Sequence, residues 1–470
     1  DQIYGGLFAY KGGQSIFLMI EEKYGKDKVA EFESALRTSK TPDKALQASL
    51  GISQEKLSEE WQLWLKRRYW NDINLRKTPE ETAKKLTDRK NDQSFFNLAP
   101  AFSPQGDKIA FLTDRRTYTD IYLMSAIDGK VLGRLVGGEK SSKFETMFLL
   151  RPGLSWSPDG KEIAFVAKSG DRNALYTLNV RKKELTRKLK FELDGMFKPS
   201  WSPDGKRVVV VGMKDGMSDL YMVHLGTGGL QRITSDPYEE TDPEWSPDGK
   251  WVAFSSDRPD TTLVFGGGRD FAFGKYDIFV MGPDGSEMRR ITNDAAMDSR
   301  PTWSPDGKRI AFISDRSGVG NIYVAELDSL VSQRASFYST QDTSLSSSGS
   351  SRVRMPYAYP VTNLLASCQD IHWSPDGKKI AFSAFHKAGY DIYVLKDPLT
   401  HRMKESEIPP TIFATRLTEK GPGEAVSVGK DSVRTVSVSD TVRQGEVRKP
   451  EGLASDTSKA GSGKAREEAW

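Results

Sequence analysis

Cysteine is almost absent: Cys368 stands alone, so no intrachain disulfide can staple the fold. Histidine is scarce as well. His224, His372, His386 and His401 never fall in the His-x-x-x-His spacing that puts two zinc ligands on one helix face. A Gly-x-Ser-x-Gly turn, which would expose a nucleophilic serine, does not occur. No apolar run approaches the roughly eighteen residues of a membrane-crossing helix. Neither charge sign dominates. There are 68 Lys and Arg against 64 Asp and Glu, and no basic stripe with interleaved aromatics offers a footprint for nucleic acid. What remains is a globular chain with no complete catalytic set and no expected metal or cofactor.

In place of these features the chain repeats one short stretch six times: Trp-Ser-Pro-Asp-Gly-Lys, followed at once by an apolar run such as Ile-Ala-Phe. The copies begin at Ser103 (the divergent Phe102-Ser-Pro-Gln-Gly-Asp), Ser157, Ser202, Ser246, Ser304 and Ser374. Nineteen residues after the serine stands Tyr122, Tyr176, Tyr221, Tyr323 or Tyr393; the fourth copy has Phe279, thirty-three residues on, and so carries a fourteen-residue insertion. A period of about 45 residues with strand–turn–strand grammar is the signature of a β-propeller. In the turn, Pro158 presets φ at the first corner, Asp159 tolerates the second, and Gly160 takes the positive φ. The next strand is apolar on both sides (Ile163, Ala164, Phe165, Val166), as expected where neighbouring blades cover both faces. Each aromatic anchor buries about 150–250 Å², roughly 4–6 kcal/mol as an upper bound. Packing alone therefore accounts for the motif's recurrence.

Residues 1–73 are helical in pattern. Ile16, Phe17, Ile20 and Tyr24 share one face, as do Val29, Phe32 and Leu36; Thr41-Pro42 and Ser53 read as helix starts. Tyr4-Gly-Gly, Tyr10-x-x-Gly-x-Ser15, Lys23-Tyr-Gly25, Leu50-Gly-Ile-Ser53 and Trp61-x-x-Trp64-Leu65 resemble the C-terminal helices of gluzincin-type zinc metallopeptidases. The zinc-binding motif of that family is not in this chain, so the resemblance implies a peptidase remnant whose active half precedes Asp1. The chain starts without methionine and shows no signal peptide, which fits an internal fragment. Residues 74–92 read as a linker. Within it Ala83-Lys-Lys-Leu-Thr87 copies the outer-strand pattern of Gln231-Arg-Ile-Thr234 and could close the ring, in competition with Arg416-Leu-Thr418. Residues 93–420 form the propeller, with six blades expected and a truncated seventh as the alternative. Residues 421–470 are expected to be an unpacked, disordered tail.

The loops sort onto two faces. The Trp-Ser-Pro-Asp-Gly turns share one with Asp128-Gly129, Asp284-Gly285 and the insertion at 328–359, whose serine-rich core (336–351) is expected to be disordered. The other face gathers Asp114-Arg115, Asp257-Arg258, Asp315-Arg316 and the insertion at 259–275, whose Gly266-Gly-Gly268 lacks the end of a phosphate loop. Three residues before each anchoring aromatic stand Ala99, Gly153, Lys198, Asp242, Arg300 and Asp370; equivalent positions in a closed propeller ring the channel mouth. Lys198, Asp242, Arg300 and Asp370 are the candidate binding residues there, a solvated rim being the plain structural reading. Asp257, Arg258, Asp315 and Arg316 are candidates on the loop face, with turn-stabilising ion pairs as the plain reading. His372, beside Trp373, reads as packed or channel-lining.

The Trp-Ser-Pro-Asp-Gly-Lys-x-Ile-Ala-Phe units, with Ser-Asp-Arg and Asp-Ile-Tyr-Val, resemble the TolB-type propellers, the WD-like repeats of the bacterial cell envelope, over about residues 80–420. That resemblance implies a mainly β protein: a six-bladed propeller of four-stranded antiparallel blades behind a short helical segment. It implies residence in the periplasm or cell envelope and a non-catalytic role binding a protein or peptide partner, as a monomeric propeller, in envelope transport or assembly. TolB itself has an α/β N-terminal domain, which this chain lacks. A substrate-filtering part of a zinc or serine peptidase is the alternative. A propeller lyase acting on acidic sugars would need clustered histidines, and here they are scattered.

Overall fold

The computed structural model describes residues 7–39, 41–138, 144–147, 151–258, 275–327, 357–412 and 414–415. The insertion at 259–274, the serine-rich 336–351 stretch, Arg416-Leu-Thr418 and the 421–470 tail lie outside them.

Six antiparallel sheets follow one another along the chain. The first runs outward from Asn97–Phe102 through Lys108–Arg116 and Tyr118–Ser125 to Val131–Val136. The next four repeat that order, with innermost strands Leu154–Trp156, Gly195–Trp201, Glu240–Trp245 and Asp298–Trp303. In the second, the short strand Thr146–Met147 also pairs on the inner side, with Glu162–Ser169. In the sixth, Cys368–Trp373, Lys379–His386 and Gly389–Lys396 are joined on the outside by Lys84–Lys85 from the far end of the chain. Each innermost strand packs against the next, and the last packs against the first, so the ring closes. The protein is a six-bladed β-propeller of four-stranded blades.

Local chemistry builds each blade. The turn glycines at 106, 160, 205, 249, 307 and 377 all have φ between +67 and +72°, where a Cβ is strained. The aspartate does more than tolerate its corner. Asp159 Oδ1 accepts the Ser157 hydroxyl (2.7 Å) and the Lys161 amide (3.1 Å), while Ser157 Oγ accepts the Glu162 amide (2.9 Å). With the Ser157 hydroxyl as its main partner, the Asp159 carboxyl is pulled down to about 2. The Tyr or Phe of the third strand lies directly opposite a Phe of the second: Phe165 and Tyr176 stack at 5.4 Å, Phe254 and Phe279 at 5.8 Å. Blade 3 has Val210 opposite Tyr221.

The residues flanking the closing strand pack into two cores, Ala83 against that of Tyr393 and Phe382 and Leu86 into another. Leu86 joins the core of Phe102, Phe111, Ile392 and Val394, and its amide donates to Ile392 O at 2.8 Å. Gly129, in an outer turn of blade 1, lies against it: a Cβ there would stand 2.2 Å from Leu86 O. The insertion in blade 5 ends sooner than its sequence suggested. Tyr359 belongs to the outer strand Ala358–Pro360, paired with Asn321–Glu326, because its ring is buried there and its hydroxyl donates to Glu326 (2.8 Å).

Among the described residues, four helices of nine residues or more precede the ring: α1 (Leu7–Tyr24), α2 (Asp27–Ser39), α3 (Pro42–Leu50) and α4 (Gln54–Leu75). Met19, Ile20, Leu46 and Leu57 form their small core, and Trp61 Nε1 donates to Ser15 Oγ at 2.9 Å. Ser53 caps α4 by accepting the Lys56 amide. Just past α4, the buried Arg76 reaches the propeller and donates to Pro409 O (2.7 Å) and Ser317 O (3.3 Å).

Candidate functional site

The innermost strands carry a β-bulge at the same place in five blades. Register slips between Leu98 and Ala101, Phe197 and Ser200, Thr241 and Glu244, Ser299 and Thr302, and Gln369 and His372. Within these slips Ala99, Lys198, Asp242, Arg300 and Asp370 have φ between +48 and +56°. Such a bulge bends the strand and re-aims a side chain, and non-glycine residues hold positive φ only where their surroundings impose it. Gly153 stands there in blade 2. A proline follows at 100, 199, 243 and 301, tolerable because an innermost strand is a sheet edge.

These six residues line one cavity of about 370 Å³, together with prolines 104, 158, 203, 247 and 375 of the turns at its other end. The cavity is the central channel of the ring. Lys198 of blade 3 reaches Asp370 of blade 6, diametrically opposite, with Nζ 3.3 Å from Oδ1. The same ammonium is 3.3 Å from Asp242 of blade 4. Arg300 Nη1 donates to Asp370 Oδ1 at 2.5 Å, and the Ala99 amide donates to Oδ2 at 3.3 Å. A bridge of charge thus spans the channel. Burial opposes the ionised Asp370, whose side chain is 4% exposed, yet Arg300 and Lys198 hold its carboxyl below the usual carboxylate range.

A second ring, one residue before each anchoring aromatic, ties blade to blade. Ser155 Oγ accepts the Trp201 amide (2.9 Å), Ser200 Oγ that of Trp245 (3.3 Å), and Glu244 Oε1 that of Trp303 (3.2 Å). Thr302 Oγ1 accepts from Trp373 (3.3 Å), and His372 Nδ1 from Phe102 (3.4 Å). The sixth position is Ala101, whose carbonyl accepts Trp156 Nε1 at 3.0 Å instead. Burial pushes the Glu244 carboxyl up to about 8 and His372 down to about 4, so both are neutral at pH 7. Accepting at Nδ1 places the proton of His372 on Nε2.

The sequence-derived candidates therefore divide. Lys198, Asp242, Arg300 and Asp370 converge in the channel. Asp257, Arg258, Asp315 and Arg316 do not join them; each is engaged inside its own blade. Asp257 Oδ1 and Asp315 Oδ1 accept the amides of Glu239 and Met297, both at 2.8 Å, pinning the loop that leads into the blade. Arg258 pairs with Glu240 and Asp236, both at 2.7 Å; Arg316 pairs with Asp294 (2.6 Å) and Asp298 (3.1 Å) and lies 4.5 Å from the Tyr323 ring centre. Burial pushes Glu240 up to about 7 and Asp298 up to about 6. Glu244 went unnoticed in the sequence, although aligning the residue before each anchor (Ala101, Ser155, Ser200, Glu244, Thr302, His372) exposes it. Among the described residues no three His, Cys, Asp or Glu are placed to hold a metal ion.

Comparison with known proteins agrees with this architecture. Residues 138–272 and 271–356 match the TolB beta propeller domain. Over 67 residues the chain is 36% identical to the Protein TolB homolog of Chlorobium luteolum, covering 14% of each protein. Over 44 residues it is 52% identical to the Tol-Pal system protein TolB of Bordetella pertussis, covering 9% of this chain and 10% of that one. The matched segments thus span 14% and 10% of the lengths of those two relatives. A third match, to the uncharacterized peptidase YuxL of Bacillus subtilis, is 26% identical over 182 residues, 36% of this chain and 25% of that protein. Among solved structures, TolB from Acinetobacter baumannii aligns over 63% of this chain and 62% of its own, with 20% identity and a TM-score of 0.40. The chain carries a six-bladed propeller, of which residues 138–356 match the TolB beta propeller domain.

Proposed function

We propose that the chain is a non-catalytic scaffold of the bacterial periplasm or cell envelope that binds a protein or peptide partner through its channel, in envelope transport or assembly. It acts as a single, monomeric propeller. One observation carries this reading: Lys198, Asp242, Arg300 and Asp370 come from four blades to one place, on bulges that hold non-glycine residues at positive φ. A solvated rim has no need of that strain. The relatives named TolB and Tol-Pal system protein support the location. No helix among the described residues is long and apolar enough to cross a membrane.

The test is recovery of partners from bacterial envelope extract by the wild-type chain and by a K198Q/R300Q variant of unchanged circular dichroism. Loss of specific partners from the variant supports the reading; the same partners in the same yield would sink it. The similarity to a B. subtilis protein named as a peptidase favours one second reading, in which the propeller filters substrates for a peptidase domain. That reading predicts that the proteins recovered are cleaved by the peptidase of the parent enzyme.

A further inference from the structure

We propose that the channel is a carboxylate-binding site, resting on the peptide-binding role above for the carboxylate's source: the end or an acidic side chain of a peptide. Hydrogen-bond accounting leads there. Each polar side chain of the second ring spends acceptor capacity on the neighbouring blade's aromatic amide; Ser155, Ser200, Glu244 and His372 keep a donor for the channel, while Thr302 spends its hydroxyl proton on Glu244. Ser155 and Ser200 accept from Trp201 and Trp245, and among the described residues their hydroxyl protons have no other partner. Glu244 takes two hydrogen bonds on Oε1, from Thr302 Oγ1 (2.9 Å) and the Trp303 amide (3.2 Å). Its other oxygen carries the proton. His372 presents Nε2–H.

The charged ring has the same bias. Asp370 is filled: Oδ1 holds Lys198 and Arg300, and Oδ2 holds the Ala99 amide. Lys198 donates to Asp370 and lies 3.3 Å from Asp242 as an ion pair, which leaves it N–H groups to spare, and Arg300 sends one guanidinium N–H to Asp370. Against these unused donors, Asp242 is the one carboxylate of the ring that takes no hydrogen bond among the described residues, its Oδ1 being held by Lys198 as an ion pair. The net charge of the four is zero, so the surplus of hydrogen-bond donors, not net charge, decides what the channel takes. A group with two acceptor oxygens and one negative charge answers the surplus, with Arg300 as its planar anchor. At about 370 Å³ the channel has the size of a small-molecule pocket.

Isothermal titration calorimetry on the full chain at pH 7 tests this with four probes: succinate, N-acetyl-Ala-Ala, its C-terminal amide, and N-acetyl-Ala-Asp amide. The expected result is that the free acid binds at least tenfold tighter than the amide, and that R300Q and R300K each lose that preference. R187Q, altered on an outer strand, keeps it. Binding of the Asp-containing amide instead of the free acid assigns the source to an acidic side chain and still supports the site. Binding of succinate alone supports the carboxylate site and removes the peptide reading. Equal binding of acid and amide overturns the carboxylate site while leaving the peptide reading standing; failure of all four probes at millimolar concentration overturns the site.

Discussion

Glu244 offers the sharpest quantitative prediction. Burial raises its carboxyl from 4.5 to about 8, so the folded chain keeps a proton that the unfolded chain has lost across that range. Stability changes with pH in proportion to the protons bound by the unfolded state minus those bound by the folded one. Here the difference is negative. The contribution is complete below pH 4.5 and is lost as pH rises through about 8. At about 1.4 kcal/mol per pH unit the full effect is up to about 5 kcal/mol, and water reaching the half-buried carboxyl screens it to about 2–4 kcal/mol. Arg300, Asp370 and His372 share the channel but keep their charge states between pH 6.5 and 8. Glu244→Gln keeps the acceptor for Thr302 and Trp303 and has nothing to titrate. Urea unfolding of both proteins at pH 5, 6.5 and 8 should give near-equal midpoints at pH 5 and a widening advantage for the variant above it. A difference that is constant across pH would refute the argument.

His372 should show the opposite slope. Its folded pKa lies near 4 against 6.5, so stability falls as pH drops through that window; His372→Gln should flatten the loss, and an unchanged acid limb of the stability profile would count against it. Gly129→Ala combines a φ of +79° with a Cβ 2.2 Å from Leu86 O, so it should cost about 2–4 kcal/mol by loosening the closing strand, read from the urea midpoint; a cost below about 1 kcal/mol would show that the strand does not hold the ring. Cys368 is buried, its thiol donates to Gly320 O at 3.2 Å, and burial pushes it up to about 12. It should resist alkylation at pH 8 until the chain unfolds, and rapid labelling of the native protein would contradict its placement.

How much of this was legible in the sequence follows from the range of each interaction. The Ser-Pro-Asp-Gly turns and the Phe–Tyr pairs depend on residues within one blade, so spacing alone reveals them. The channel ring was legible because a bulge recurring at a fixed offset puts Lys198, Asp242, Arg300 and Asp370 in equivalent places. Their mutual geometry was not. Lys198 meets Asp370 172 residues away, and that contact exists only because the ring closes at a radius a lysine can span. Glu244 hid, and His372 showed only as a packed or channel-lining residue, for a related reason: each accepts a backbone amide of the next blade, and an amide leaves no mark in a sequence. The plain reading of the Ser-Asp-Arg residues as turn-stabilising ion pairs was legible, but not their partners: Arg258 and Arg316 face carboxylates that lie in or just before the innermost strands.

The claim that most needs testing is that the partner enters the channel and does not merely rest on the loops. A photo-cross-linking residue in place of Ser155 stands on the channel wall, and one in place of Glu184 stands on the outer strand of the same blade. Irradiation in envelope extract should join a partner to position 155 and not to 184. Cross-links from 184 with none from 155 would contradict the account.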